Sequence, residues 1–327
     1  MAREQLPYIG AILEAISEEM QRDDTVLYFG QNIATTENDP FLQAFGPDRV
    51  RVTPISETAE IGMAIGAAVA GYRPVVELYM AEFMLVAMDQ VVNEANRFHY
   101  MSGGQVTVPV VLKAGYGFTA GWAGQHTGTI YGMFMGVPGL KVAVPSTPAD
   151  AKGLMTASIR DDNPVIFFHH YLLTLEHGDV PEGEYVIPLG QANVAREGTD
   201  VTIVGIGWTV GRALAAAEQL AADGVSAEVI DPRTLAPLDT ATILASVEKT
   251  GRLVVVDQST RHGSAAAVIA AEVASEGFSS LKAPVQLVCA LDATIPYSEP
   301  MEEYILPNEA KIVDAVQHVL SLTPTTA

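Results

Sequence analysis

The chain contains a single cysteine, Cys289, among its 327 residues. One thiol cannot form an internal disulfide or a cysteine-based metal cluster, so neither kind of crosslink is expected in this fold. Cys289 lies in the apolar segment 285–291, which predicts a small buried thiol without a chemical role.

Basic residues are also scarce, since 18 lysines and arginines stand against 39 aspartates and glutamates and the formal net charge is −21. A surface of this sign repels nucleic acid and anionic membranes, so we expect neither as a partner. No apolar run approaches the roughly 18 residues that a membrane-spanning helix needs. The first residues do not combine a basic segment with an apolar one, as a signal peptide does. These features predict a cytoplasmic protein.

Several common catalytic signatures are missing as well. The sequence has no Walker phosphate loop, no HExxH zinc motif and no GxSxG serine motif. Their absence removes support for the commoner kinase and hydrolase interpretations.

Of all residues, 49% are hydrophobic and 17% are charged, as in soluble globular proteins, and the length of the chain allows two domains. Apolar segments at 26–29, 108–113 and 253–256 predict buried strands. They alternate with segments of helical apolar spacing, such as 9–20 and 148–160. This alternation predicts two α/β/α domains of three layers, each with a mostly parallel sheet between helices.

The alternation is interrupted between residues 171 and 198, where glycine and proline are frequent. We therefore predict a first domain over 1–175, a linker over 176–198 and a smaller second domain over 199–327. Within the first domain, residues 82–100 are predicted to form one helix.

The stretch TPISETAEIGMAIGAAVAGYRP at 53–74 predicts a helix that begins with an acidic residue. Ser56 suits the N-cap position, and Glu57 in the first turn is favoured by the helix dipole. Compared with alanine, Gly62 and Gly66 each destabilise a helix interior by about 1 kcal/mol. Their presence therefore predicts that they allow the helix to approach a sheet, another helix or a partner subunit closely. Taken alone, Glu57 is a first-turn acid that stabilises the helix.

This stretch resembles the PISE segment in the β subunits of the thiamine-diphosphate-dependent 2-oxo acid dehydrogenases, which act on pyruvate, branched-chain 2-oxo acids or acetoin. The resemblance extends over nearly the whole chain through a series of motifs in the same order: RPVVE at 73–77, DQVVNEA at 89–95, MSGG at 101–104, QH at 125–126, PGLKV at 138–142, DAKGL at 150–154, IRDDNPV at 159–165 and DPRTLAPLD at 231–239. Each motif alone is weak, and the ordered series is specific.

The resemblance implies a pyrimidine-binding thiamine-enzyme domain followed by a transketolase C-terminal-like domain. It also implies half of a cofactor site, because the Gly-Asp-Gly segment with which thiamine enzymes hold Mg²⁺ and the diphosphate is absent. An α subunit is expected to supply Mg²⁺ and diphosphate binding in an α2β2 heterotetramer. A lipoyl-bearing acyltransferase is the expected acyl acceptor.

The resemblance assigns roles to particular residues. Glu57 is expected to bind the aminopyrimidine ring of thiamine diphosphate and to drive its tautomerisation, and Ile55, Tyr79 and Phe83 to contact the cofactor. His126 is the expected catalytic histidine, and imidazole suits proton transfer near pH 7. The alternative for Tyr79 and Phe83 is ordinary core packing.

Family members also hold a structural potassium ion. The resemblance places the corresponding oxygens in this chain at Val110, Ser158, Ile159, Asp161 and Asn163. A purely structural turn is the alternative for this segment.

The chain departs from the family pattern in three places. Gln31 and Asn32 stand where the family has an acidic pair, Glu60 replaces an apolar residue, and the histidines 169–170 replace a segment that commonly contains an acid. Glu60 follows Glu57 by three residues and shares its helix face, so we predict that it returns a carboxylate to the same polar region. The alternative is that Glu60 faces water or a basic residue of the partner. As a metal-binding pair, the two histidines lack further ligands.

The predicted function is that of the β subunit of a thiamine-dependent 2-oxo acid dehydrogenase or acetoin-cleaving enzyme. It would decarboxylate a 2-oxo acid or cleave an acyloin and pass the acyl group to a lipoyl domain or another acceptor. Two alternatives stay open: a split transketolase-like or carboligating enzyme, and a scaffold subunit without catalytic activity. Retention of Glu57 and His126 disfavours the scaffold.

Overall fold

A computed structural model describes residues 3–31, 33, 36, 38–117 and 121–322. The chain forms two compact units, Met1–Phe118 with Phe134–Leu189, and Thr119–Met133 with Gly190–Ala327. The sequence analysis placed residues 119–133 in the first domain. The predicted domain boundaries stay a prediction. Asn32 lies outside the described residues.

The helices and strands of the first unit begin with a short strand that the sequence analysis had not predicted. They are β1 (Arg3–Pro7), α1 (Tyr8–Arg22), β2 (Val26–Gly30), α2 (Pro40–Phe45), β3 (Val50–Val52), α3 (Glu57–Val69), β4 (Arg73–Leu78), α4 (Phe98–Met101), β5 (Val111–Tyr116), β6 (Lys141–Ala143), α5 (Pro148–Arg160), β7 (Val165–His170) and β8 (His177–Pro181).

The main sheet of this unit contains strands in the order β6-β7-β5-β4-β2-β3, and all of these neighbours run parallel. Strands β4, β5 and β7 are buried along nearly their whole length, as expected for a parallel sheet covered on both faces. β1 pairs with β8 in a separate antiparallel ribbon. α1 packs against α5, and α3 packs against β4.

The strand order determines which loops meet. β2 lies between β3 and β4, so the residues that follow these three strands lie at one edge of the sheet. Gln31 follows β2, Glu57 follows β3, and Tyr79 follows β4. The carboxyl ends of parallel strands are where open α/β sheets bind ligands.

The helix predicted over 82–100 is not continuous. The structure has a 3₁₀ segment at Ala81–Ala87, a π-helical turn at Gln90–Ala95 and the short α4. Buried Met84, Ala87 and Val91 keep the spacing that predicted a helix. However, the carbonyl of Val86 accepts a hydrogen bond from the hydroxyl of Thr58 at 3.1 Å, and the segment follows α3 instead of a regular helical path.

The second unit repeats the α/β pattern. Its elements are β9 (Asn193–Arg196), β10 (Val201–Gly205), α6 (Thr209–Ala222), β11 (Ala227–Asp231), β12 (Thr234–Ala236), α7 (Thr240–Thr250), β13 (Leu253–Thr260), α8 (Ala265–Glu276), β14 (Gln286–Ala290), α9 (Glu299–Ile305) and α10 (Glu309–Ser321). The sheet order is β14-β13-β10-β11-β9, in which only β9 is antiparallel to its neighbour. The predicted fold class, two α/β domains with mostly parallel sheets, is confirmed.

Among the described residues, no helix is both long and apolar enough to span a bilayer.

Candidate active site

Glu57 is the first residue of α3, as predicted, and only 8% of it is exposed. Ser56 occupies the N-cap position, but its side chain makes no capping hydrogen bond. Instead, the backbone N–H of Ser56 donates to Glu60 Oε1 at 3.3 Å. The predicted N-cap position of Ser56 is therefore confirmed, but the carboxylate of Glu60, and not the Ser56 hydroxyl, accepts a hydrogen bond at this end of the helix.

Gln31 holds both carboxylates through its amide group. Its Nε2 donates to Glu57 Oε1 at 3.1 Å and to the two carboxylate oxygens of Glu60, each at 3.2 Å. The amide is buried, with Gln31 6% exposed. Sequence reasoning noted Gln31 only as the loss of an acid, whereas the structure gives it a direct contact with the candidate catalytic residue.

Glu60 is 1% exposed and lies beside Glu57, as the hypothesis from the sequence required. Besides the amide of Gln31, it accepts a hydrogen bond from the hydroxyl of Thr53 at 2.9 Å. No lysine or arginine among the described residues forms an ion pair with Glu57 or Glu60. Neutral donors thus orient both carboxylates.

The expected cofactor-contacting residues have different surroundings. Tyr79 is partly buried and lines the same cavity as Gln31. Phe83 is partly buried on the 3₁₀ segment after β4, and its backbone N–H donates to the carbonyl of Met80 at 3.2 Å. Ile55 is 81% exposed just before α3. The structure therefore brings Gln31 into contact with Glu57 and into one cavity with Tyr79, and it leaves Ile55 on the surface.

His126 belongs to the second unit, so the two candidate catalytic residues are on different units. Its ring packs edge-on against Trp122, with centroids 5.8 Å apart. The two residues line a cavity of about 410 Å³ together with Gly121, Gly124, Gln125 and Tyr297. The backbone N–H of His126 donates to the carbonyl of Ala123 at 3.2 Å, and Ala123 has a φ of 52°, which is unusual for a residue with a side chain.

Two contacts anchor the segment that carries His126. The Tyr131 hydroxyl donates to the fully buried carboxylate of Asp257 at 2.5 Å. Gly132 lies so close to the backbone of Gly263 that an added Cβ would come within 2.7 Å of its carbonyl oxygen. Neither contact was expected, because Tyr131 and Asp257 are separated by 126 positions and share no motif.

The residues of the expected potassium site lie near one another, but side chains of the protein already bind their oxygens. Arg73 Nη1 donates to the carbonyls of Ile159 and Asp161, each at 3.1 Å. The Asp161 carboxylate accepts from Lys141 and from both nitrogens of Asn163. Burial alone would raise the pKa of Asp161, but the hydrogen bonds from Lys141 and Asn163 hold it below its usual value.

The other two residues of this set are bonded within the fold. The Ser158 hydroxyl donates to the carbonyl of Leu154 at 2.7 Å, and the Val110 carbonyl accepts from Val165 N–H at 2.9 Å. No group of three or more His, Cys, Asp or Glu side chains in the described part of the chain has the arrangement of a metal site.

His169 and His170 do not form a metal-binding pair, because successive residues of β7 point to opposite faces of the sheet. His170 is fully buried, and its Nδ1 accepts from Leu172 N–H at 3.2 Å. His169 instead lies near Lys113, whose Nζ is 3.2 Å from His169 Nε2.

Two family models match the chain. Residues 4–174 match the transketolase pyrimidine-binding domain, and residues 190–312 match the transketolase C-terminal domain. One similar solved structure, described as a split gene transketolase, inactive beta4 tetramer, has a TM-score of 0.80 and 24% identity and covers 96% of this chain and 97% of its own. At that identity the structural match supports the fold alone.

Curated relatives are more similar in sequence. The chain is 45% identical over 326 residues to the acetoin:2,6-dichlorophenolindophenol oxidoreductase subunit beta of Cupriavidus necator, covering 95% of this chain and 96% of that protein. It is 43% identical over 314 residues to the pyruvate dehydrogenase E1 component subunit beta of Rickettsia bellii, and the match covers 94% of this chain and 97% of that protein. The 2-oxoisovalerate dehydrogenase subunit beta of Bacillus subtilis is 38% identical over 321 residues, and the match covers 96% of this chain and 98% of that protein.

Proposed function

Because the chain belongs to the family of thiamine-dependent 2-oxo acid dehydrogenase β subunits, we propose that it contributes the aminopyrimidine side of a thiamine diphosphate site shared with an α-type partner. The observation that carries this proposal is the buried carboxylate of Glu57, held by the Gln31 amide at the start of α3. The catalysed reaction is decarboxylation of a 2-oxo acid or cleavage of an acyloin, followed by transfer of the acyl group to a lipoyl-bearing acyltransferase or another acceptor.

The residues present fit the pyrimidine side of the cofactor. When bound, thiamine diphosphate supplies the nucleophilic carbon that attacks the substrate carbonyl. Glu57 holds a proton at a ring nitrogen of the aminopyrimidine, and its burial limits exchange of that proton with water. Gln31 orients the carboxylate by donating to one of its oxygens, and Tyr79 lies at the same edge of the sheet.

His126 is the proposed second catalytic residue. An imidazole exchanges protons near neutral pH, and the edge-on contact with Trp122 restricts the orientation of the ring. The anchoring of its segment through Tyr131 and Asp257 keeps the imidazole in place on the second unit.

The buried hydroxyl of Tyr131 gives a test of that positioning role. Replacing Tyr131 by phenylalanine leaves Asp257 without one donor and is expected to lower the free energy of unfolding by about 1–3 kcal/mol. We expect kcat to fall roughly tenfold as well, because catalytic groups must be held in register with the substrate. Urea unfolding and steady-state kinetics of the reconstituted enzyme measure the two effects.

Tyr8→Phe is the matched control, since the Tyr8 hydroxyl is also buried and donates to the carbonyl of Pro145 at 3.0 Å. It should lose a similar amount of stability with kcat unchanged. Equal kcat values in the two variants would show that the Tyr131 contact is purely structural.

The exposed face of α3 supports the need for a partner chain. Ala59, Met63, Gly66 and Ala70 follow one another at helical spacing, and all four are exposed. An added Cβ at Gly66 would meet nothing within 4 Å, so contacts within this chain do not explain the glycine. We propose that the α subunit packs on this face and brings the Mg²⁺ and diphosphate site with it in an α2β2 assembly.

Replacing Gly66 by leucine tests this interface. Loss of a helix-interior glycine should raise the stability of the isolated chain by up to about 1 kcal/mol. The larger side chain should also lower affinity for the α-type partner at least tenfold, about 1.4 kcal/mol, because it obstructs a close helix approach. Urea unfolding and quantitative co-purification measure the two effects.

Gly211→Leu is the matched control, because Gly211 is also exposed in a helix with nothing within 4 Å of an added Cβ. It should leave partner affinity unchanged. Wild-type affinity of the Gly66→Leu chain would contradict the proposed interface.

Reconstitution with the partner tests the function itself. We expect thiamine diphosphate to bind weakly to this chain alone and tightly, with Mg²⁺, to the assembled pair. A panel of pyruvate, 2-oxoisovalerate and acetoin with an artificial electron acceptor then identifies the substrate. Tight Mg²⁺-dependent binding by the isolated chain, or activity only with sugar phosphates, would overturn the proposal in favour of a different thiamine enzyme.

Two further expectations stay proposals. A structural potassium ion at Val110, Ser158, Ile159, Asp161 and Asn163 would have to share oxygens that already accept hydrogen bonds from Arg73 and Lys141. A cytoplasmic location is supported by composition.

A further inference from the structure

The side-chain amide of Gln31 lies between the carboxylates of Glu57 and Glu60. Its Nε2 is 3.1 Å from Glu57 Oε1 and 3.2 Å from each carboxylate oxygen of Glu60. An amide nitrogen carries two hydrogens, so one is directed at Glu57 and the other is shared by the two oxygens of Glu60. If the amide were turned by half a rotation, its own oxygen would face three carboxylate oxygens, which are acceptors as well. The two carboxylates therefore fix the orientation of the amide.

Glu60 is itself held by donors around the start of α3. Its Oε1 accepts from the Thr53 hydroxyl at 2.9 Å and from the backbone N–H of Ser56 at 3.3 Å. Thr53 is fixed beside the end of β2, because its backbone N–H donates to the carbonyl of Gly30 at 3.0 Å. Only 1% of Glu60 is exposed, so the alternative in which it faces water or a basic residue of the partner is wrong.

The carboxylate of Glu57 depends on a single donor. Among the described residues, Gln31 Nε2 is the only group that donates to it, and the second oxygen of Glu57 accepts no hydrogen bond. The glutamine side chain has several rotatable bonds, and it keeps one conformation only where contacts offset the lost entropy. Without Glu60, the amide can turn about its last bond and present its oxygen to Glu57. The orientation of Glu57 thus depends on Glu60, although the two carboxylates make no direct hydrogen bond.

We propose that Glu60 is a positioning residue of the cofactor site, which acts on Glu57 through the amide of Gln31. The proposal rests on the proposed function, since it takes Glu57 as the residue that contacts the aminopyrimidine ring. Direct proton exchange between Glu60 and a ligand is disfavoured, because three donors already occupy its buried carboxylate. The competing role is purely structural: Glu60 would stabilise the start of α3 without any effect on Glu57.

The Gln31 amide can be followed by NMR in the full chain, without cofactor or partner. With ¹⁵N-labelled glutamine side chains, the substitution Gln31→Met identifies the two Gln31 amide signals by their loss. In the wild type, this buried and hydrogen-bonded amide should exchange its hydrogens slowly with solvent. Glu60→Gln should accelerate the exchange at least tenfold, because an amide nitrogen then replaces one of the two acceptors that lie 3.2 Å from Gln31 Nε2.

Glu60→Asp tests the same contact with the charge retained. Its side chain is one methylene shorter, so its oxygens withdraw from Gln31 and exchange should again be at least tenfold faster. Thr58→Val is the control, because Thr58 lies in the same turn of α3 and its hydroxyl donates to the carbonyl of Val86 at 3.1 Å. It should leave exchange of the Gln31 amide unchanged. If Glu60→Gln does not fold, Glu60→Asp decides the outcome.

A double-mutant cycle shows whether the contact affects the reaction. In the reconstituted enzyme, Glu60→Gln should lower kcat at least tenfold and change KM less than twofold, because a misplaced catalytic group slows the chemical step. In a chain that also carries Gln31→Met, the same substitution should change kcat less than twofold, since no amide is left for Glu60 to orient. A residue that only stabilises the helix would have the same effect on kcat in both backgrounds.

Three results would each overturn the proposal: wild-type exchange of the Gln31 amide in the Glu60 variants, equal acceleration in Thr58→Val, or equal effects of Glu60→Gln on kcat with and without Gln31→Met. Failure of the proposed function is distinguishable from these results. It would appear in the wild-type assembly as a lack of thiamine diphosphate binding. The exchange measurement, made on the chain alone, would still decide whether Glu60 fixes the amide of Gln31.

Discussion

Replacing Glu57 by glutamine is expected to lower kcat by roughly 10²- to 10⁴-fold, the usual contribution of a positioned acid–base group. The amide keeps the size of the carboxylate and can still accept the hydrogen bond that Gln31 Nε2 makes at 3.1 Å. It cannot take up the proton that the cofactor ring shares with Glu57. The variant should therefore fold normally and bind the partner chain. Circular dichroism, co-purification and steady-state kinetics of the assembled enzyme provide the measurements.

Glu309→Gln is the matched control for this substitution. Glu309 is the first residue of α10, as Glu57 is of α3, so both removals weaken a favourable interaction with a helix dipole. Only Glu57→Gln should slow exchange of the cofactor C2 proton, which NMR follows without turnover. If the Glu57→Gln enzyme exchanges the C2 proton at the wild-type rate, Glu57 only stabilises the helix and has no role in proton transfer.

Breaking the buried pair between Glu77 and Lys113 should cause the largest loss of stability in the first unit. The two side chains are 11% and 2% exposed, so removal of one partner leaves an uncompensated charge inside the sheet. Glu77→Leu is expected to lower the free energy of unfolding by about 3–5 kcal/mol. Urea unfolding at pH 7 measures this loss.

The double variant Glu77→Leu/Lys113→Met is the control for that prediction. Its apolar side chains have similar volumes and leave no charge buried, so it should regain at least half of the lost stability. Full recovery is not expected, because Tyr28 and His169 each lose a hydrogen-bond partner. A double variant as unstable as Glu77→Leu would mean that packing, not charge, explains the loss.

The same pair predicts a dependence on pH. The pKa of Glu77 falls from 4.5 to about 2 in the folded protein, so its ionisation adds stability above pH 4.5. This contribution should disappear as the pH falls from 4.5 towards 2. Over that range the Glu77 carboxyl binds a proton in the unfolded state but not in the folded state, so lowering the pH stabilises the unfolded state. The double variant should lack this part of the acid destabilisation.

Much of the fold follows from local patterns. Apolar segments of helical spacing predicted α1 and α5 close to their observed bounds, and the stretch 53–74 predicted α3 with its start at Glu57. The segment 81–101 was predicted poorly, because its apolar spacing is helical while contacts with α3 determine its backbone path. β1 was missed because its partner β8 lies at least 170 positions further along the chain.

The sequence alone determined that Glu57 begins a helix, that the chain has two α/β domains, and that its motifs are those of a thiamine-enzyme β subunit. These properties depend on residues that are close together in the chain or on an ordered series of short motifs. They are therefore visible without knowledge of which strands are neighbours.

Only the tertiary structure decided which side chains meet. Gln31 contacts Glu57 across 26 positions, Glu77 contacts Lys113 across 36, and Lys113 contacts His169 across 56. These contacts depend on the strand order β7-β5-β4-β2-β3, which places residues from distant segments on one side of the sheet. Hydrophobic periodicity encodes the face that each strand buries, but not the strand beside which it lies.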